Sequence, residues 1–113
     1  MEDLLIETLE SLGYSVIRQG SLGPDEEYED HFFTYWNNDS FDGSHYDNDA
    51  TSTVFDYDVN FYSIDSDMAF AKLREAKALL KSKNFIISGD GYDVASDEPS
   101  HTGRGMNVLY LQS

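Results

Sequence analysis

From Thr51 to Ser63 the sequence alternates with period two. Phe55, Tyr57, Val59 and Phe61 fall on one side of the run, and Asp56, Asp58 and Asn60 fall on the other. Successive side chains of a strand point to opposite faces, so this pattern is a strand with one dry face and one wet face. A half-buried strand needs a second layer to cover it. The next segment supplies one: Ala69, Leu73, Ala76 and Leu80 recur at helical spacing, and Phe70 and Leu79 widen the stripe. This predicts a helix from Asp65 to Lys83 lying on the strand's dry face. Asp65, Ser66 or Asp67 can cap its start. Lys81 and Lys83 suit the negative end of its dipole, and Asn84 can close it in the left-handed conformation.

The remaining elements arrange themselves around this pair. Leu5, Leu9 and Leu12 predict a short helix over residues 2–12, with Gly13 as its terminator. Tyr14 to Arg18 is a short strand, and residues 19–30 are a solvated acidic loop holding Pro24. His31 to Asn37 is an aromatic strand with apolar side chains on both faces, so its inward face stays open. Residues 38–50 are polar, lack a period and read as a loop. Phe85 to Ser88 is a further strand, followed by a turn at Gly89–Gly91 and a polar connection that holds at most a short strand from Tyr92. Met106 to Gln112 is the last strand. The expected class is α+β over residues 1–113 as one domain. It consists of a mainly antiparallel twisted sheet of four to six strands, with two helices packed on one face.

Composition narrows the classes of function. The chain has 113 residues, no cysteine and a formal charge of −15. Disulfides and thiolate metal sites are excluded, and a phosphate backbone would be repelled, so direct nucleic-acid binding is not expected. No apolar run approaches the roughly 18 residues of a membrane span. Glu2 and Asp3 stand where a signal peptide carries positive charge, so cytosolic synthesis is the expectation. The charge is also uneven. Five of the seven basic residues (Lys72, Arg74, Lys77, Lys81 and Lys83) lie in residues 65–83 beside three acids, a local charge of +2 that leaves −17 on the rest.

Several patterns shadow known chemistry without completing it. Asn38, Asp42, Gly43 and Asp49 mimic a calcium loop. But the first ligand is Asn, the twelfth is the shorter Asp, and strands flank the loop instead of helices. Ser100 and His101 are adjacent, lack a nucleophile elbow, and read as a turn. His31, His45 and His101 are scattered without a metal-ligand spacing. Gly103, Arg104 and Gly105 are too few for a phosphate loop. Arg104 is expected to pair with one of the many acids, between glycines that allow close backbone approach. Catalytic, cofactor-binding and metal-binding residues are therefore all expected to be absent. What remains is a basic helix face, Arg74, Lys77 and Lys81, which could meet the acidic body of a second copy.

The segment from Val59 to Asp67, the basic helix, Phe85 to Gly89, and Ser96 to Gly105 together resemble a family of small phage proteins. These are the tail terminator or tail completion proteins, minor tail components that join head and tail in long-tailed, siphovirus-like phages and prophages of Gram-positive bacteria. The resemblance spans roughly residues 51–112. It implies a structural protein of the virion tail, assembled in the host cytoplasm. The implied form is a homo-oligomeric ring, a hexamer among the candidate stoichiometries, that contacts tail-tube and head–tail connector proteins. It brings no catalytic residue and no cofactor. Pro99, His101, Thr102, Gly103, Arg104 and Gly105 would form a shaped loop leading into the final strand. Asp56, Asp58, Arg74, Lys77, Lys81 and Arg104 are the expected interface residues. The competing reading is a small acidic binding protein, such as an immunity protein, nuclease inhibitor or DNA mimic, that captures a basic partner through its −17 body.

Overall fold

The computed structural model describes residues 2–19, 29–42, 53–89, 91–96 and 100–112. Helix α1 (Glu2–Glu10) leads into β1 (Ser15–Arg18), β2 (His31–Asp42) and β3 (Thr53–Ser63). Helix α2 (Ser66–Ser82), β4 (Tyr92–Val94) and β5 (Thr102–Gln112) follow. The strands form one sheet in the order β1-β2-β3-β5-β4. Every pairing is antiparallel except β1 with β2, which is parallel. The fold is α+β as expected, and β3 is the central strand.

The alternation of β3 divides the sheet into two faces. Tyr57, Val59 and Phe61 are buried among Phe33 and Tyr35 of β2 and Met106 and Val108 of β5. Both helices close this face: Leu5 and Leu9 of α1 and Ala69, Leu73, Ala76 and Leu80 of α2 join the same core. Rings interlock beneath α1, with Phe33 and Phe61 centred 4.6 Å apart and Tyr14 edge-on to Phe61 at 5.3 Å. Removing such surface from water is the main favourable contribution to the fold.

The helix ends follow local chemistry. The Asp65 carboxylate accepts from the Asp67 and Met68 amides, which would otherwise lack partners in the first turn. At the other end Asn84 takes a φ of 75°. Its amide donates to the Lys81 carbonyl while the Phe85 amide reaches back to Leu80, the reversal that commonly ends a helix. Gly13, with a φ of 94°, closes the turn after α1 in the same region of backbone space.

Three expectations are corrected. Residues 38–42 are not loop: β2 continues to Asp42, paired with β3 through a register shift between Asn37 and Asp39. Pairing with β3 bonds backbone groups, so it extends through this mostly polar run whatever the side chains. The rest of the calcium-like pattern, from Gly43 to Ala50, lies outside the described residues, as does the loop at 20–28. Phe85 to Ser88 is not a full strand but a single bridge, Ile86 to Leu109, before Gly89 and Gly91 turn the chain at positive φ. The final strand starts at Thr102 instead of Met106, so residues 102–105 are ladder and not approach loop. Pro99 is outside the described residues.

Candidate functional site

The face of the sheet away from the helices carries the wet side of β3. Antiparallel partners share a face, so the register orders this surface in rows. Trp36, Asp58 and Asn107 form one row, and Asp56, Leu109 and Ile86 the next. The Asn107 amide donates to Asp56 Oδ1 at 2.6 Å and to Asp58 Oδ1 at 3.3 Å. Asn38 donates to the same Asp56 oxygen at 3.1 Å. Two carboxylates are thus held in line by amides and half-buried between exposed Trp36 and Tyr92. Burial raises the Tyr92 pKa, and the negative charges of Asp58 and Asp56 raise it further, which places this phenol in their field.

The other end of this face is packed. Phe32 is buried under the stacked Tyr62 ring, centres 5.4 Å apart, with His101 edge-on at 6.0 Å. Asn60 is buried and donates to Thr34 Oγ1 and Gln19 Oε1, each at 3.4 Å. The two glycines expected to allow close approach do so here. A Cβ on Gly103 would stand 2.7 Å from Tyr62 and 2.8 Å from the Val94 carbonyl, and one on Gly105 would stand 2.2 Å from Asn60 Oδ1.

A second surface lies on α2. Its buried stripe faces the sheet, and Arg74 and Lys81, each one residue past a buried position, are exposed along its flank. Arg74, Lys77, Ala78 and Lys81 line a shallow hollow of about 250 Å³. Lys77 Nζ donates to the Gly89 carbonyl, tying the ridge to the turn after the helix. Phe70, expected to widen the buried stripe, is instead exposed one turn earlier, because it lies one residue round the helix from buried Ala69. Two guanidiniums approach its ring: Arg74 at 5.8 Å and Arg104 at 5.1 Å from its centre. Arg104 Nη1 also pairs with Asp93 at 3.0 Å, the ion pair expected of it. Arg104 comes from β5, so its place in the ridge was invisible in local sequence.

Of the six expected interface residues, Asp56 and Asp58 therefore sit on the open sheet face, and Arg74, Lys77, Lys81 and Arg104 gather on the helix side. Trp36, Tyr92, Ile86 and Phe70 border these surfaces and were not foreseen as part of them. The exposure of Ile86 has a sequence signal, since it alternates out of phase with buried Phe85 and Ile87.

The remaining candidates resolve simply. Ser100 Oγ lies 3.0 Å from His101 Nδ1, a pairing not expected of adjacent residues. His101 Nε2 lies 2.7 Å from the Glu29 carbonyl and donates to it, so Nδ1 is the acceptor from Ser100. This pins the approach to β5 against the entry to β2, and both bonds are exposed. Likewise His31 Nδ1 meets the buried Ser63 hydroxyl at 2.8 Å, while that oxygen accepts from the Asp65 amide. Among the described residues no group of three His, Asp or Glu side chains is placed to hold a metal ion. Among them, too, no helix is long and apolar enough to cross a membrane.

The arrangement is two surfaces of opposite sign on different layers of the molecule: carboxylates on the open sheet face and bases along the flank of α2. No protein-family model matches the chain, and no curated protein matches it.

Proposed function

We propose that the chain is a structural protein of a phage or prophage virion, a tail terminator or tail completion factor that forms a homo-oligomeric ring at the head-proximal end of the tail. The observation that carries this reading is the opposition of charge. Asp56 and Asp58 lie on the open face of the sheet, while Arg74, Lys77 and Lys81 run along the flank of α2 in the other layer. Two different patches join copies head to tail, and such contacts repeat until the rotation closes a ring. Charge complementarity sets the register and speeds the encounter. The resemblance over residues 51–112 supports the same assignment and supplies the partners: tail-tube and head–tail connector proteins, met in the host cytoplasm and retained in the virion. The role is one of assembly, with no reaction and no cofactor.

The alternative, capture of a basic nuclease by a phosphate mimic, calls for free carboxylates at phosphate-like spacing. Asp56 and Asp58 instead share the Asn107 amide. Competition with DNA for a basic nuclease would revive that alternative. The proposal itself is tested by light scattering at low salt and micromolar concentration, with purified tail-tube protein added. Growth of a discrete oligomer or a capped tube is expected. A strict monomer that ignores the tube refutes the reading.

A further inference from the structure

The acidic rows continue into an apolar patch. Ile86 and Leu111 keep 55% and 53% of their surface exposed, and Leu109 and Val54 are half-buried beside them. The register puts all four on the open face: Val54 opposite Leu111, Ile86 opposite Leu109, and Leu109 opposite Asp56. Scattered single hydrophobics are ordinary on a surface, whereas a contiguous group beside ordered charges marks a contact.

We propose that this patch is an anchor that receives Phe70 of a second copy, with that copy's Arg74 and Lys81 laid over Asp56 and Asp58. The inference rests on the homo-oligomer reading and names the contact that makes it. Three features argue for this occupant. The first is pattern: the α2 ridge carries an exposed aromatic followed by bases, and the sheet face carries exposed aliphatics followed by carboxylates. The second is spacing. Successive rows on one face of a strand are about 7 Å apart, and successive helical turns rise about 5.4 Å. Phe70 over the Leu111 row therefore brings Arg74, about one turn on, to the Asp56 row, and Lys81, about three turns on, close to the Asp58 row. The third is layering: the two-layer fold leaves one sheet face without a helix, and the incoming α2 gives it one.

The contact joins unlike surfaces, so it can be broken from either side. One variant blocks the sheet face, Ile86→Lys with Leu111→Lys. The other blocks the ridge, Phe70→Ser with Arg74→Ser. All four positions are exposed, and unchanged thermal melts confirm folding. Asp56→Lys alone is a milder second block of the sheet face. Sedimentation velocity is run wherever the parent assembles, with tube protein if it requires that. Each blocked variant is expected to need at least tenfold more protein to assemble. Mixed together, the two are expected to form a two-chain complex that grows no further, because one intact sheet face meets one intact ridge. If both variants assemble like the parent, or the mixture stays monomeric while the parent assembles, the anchor is refuted and the homo-oligomer reading stands. If the parent itself never assembles, with or without tube protein, that reading falls and the anchor with it.

Discussion

Gly105 is the most demanding backbone position on the open face, and Gly105→Ala tests how tightly that face is packed. The added Cβ would lie 2.2 Å from Asn60 Oδ1, 2.9 Å from Val94 Cγ2 and 3.1 Å from Tyr92 Cε2. Asn60 is 3% exposed, so its amide cannot swing out into solvent. Relieving the contact means moving that amide away from Thr34 and Gln19, its partners at 3.4 Å. Overpacking costs about 1–3 kcal/mol, and leaving a buried amide without its acceptors costs a similar amount. The bonds are long, so the lower half of each range applies, and the expected loss is about 3 kcal/mol. That corresponds to a fall in Tm of roughly 12 °C for a domain of this size. Urea denaturation measures the loss directly. The mechanism is separable from a general effect of the methyl group, because Asn60→Ala removes the obstructing atoms. In the double-mutant cycle, Gly105→Ala should cost at least about 1 kcal/mol less on the Asn60→Ala background than on the parent. Strict additivity, or a Gly105→Ala variant within about 0.5 kcal/mol of the parent, would refute the argument.

Four further outcomes follow from the same geometry. Asp65→Ala removes the acceptor for the Asp67 and Met68 amides and should cost about 1 kcal/mol in chemical denaturation. Phe61→Ala, at a fully buried position in the ring cluster, should cost about 3–5 kcal/mol by the same assay. Burial raises the pKa values of Tyr35, Tyr57 and Tyr92, with help from Glu2 for the first two and from Asp58 and Asp56 for the third. The neutral phenols are therefore favoured on folding. Their contribution is complete below the ordinary tyrosine pKa of 10.0 and is lost as pH rises through the higher folded values, so the tyrosines should leave thermal melts unchanged up to that pH and lower them above it. Asp56→Ala with Asp58→Ala should melt like the parent and assemble poorly with tube protein. Equal assembly would make β3 scaffold alone.

How much of this was legible in the sequence depended on how local each cause is. The α2 stripe, its Asp65 cap and the Asn84 reversal are set by neighbours a few residues apart, and all three stood in the pattern. So did the two faces of β3. The parallel pairing of β1 with β2 did not, because a four-residue strand carries no mark of its partner's direction. The run from Asn38 to Asp42 read as loop because it is mostly polar and lacks a period, but a ladder bonds backbone and accepts such side chains. Residues 102–105 read as loop because of two glycines, which are there to clear Tyr62 and Asn60 from across the ladder. The candidate surfaces divide in the same way. Arg74, Lys77 and Lys81 share a helix and could be read together. Arg104 reaches Phe70 from a strand about thirty residues later, and no local spacing announces such a contact.

In the proposed ring, two oppositely charged surfaces of one fold join copies to each other on a tail tube. Sedimentation velocity of the parent chain with purified tail-tube protein, across a salt series, tests it most directly. A discrete complex holding several copies of the chain is expected, strongest at low salt and weakening as the charges are screened. A chain that sediments as a monomer at every salt concentration, with the tube protein unaffected beside it, would contradict the account.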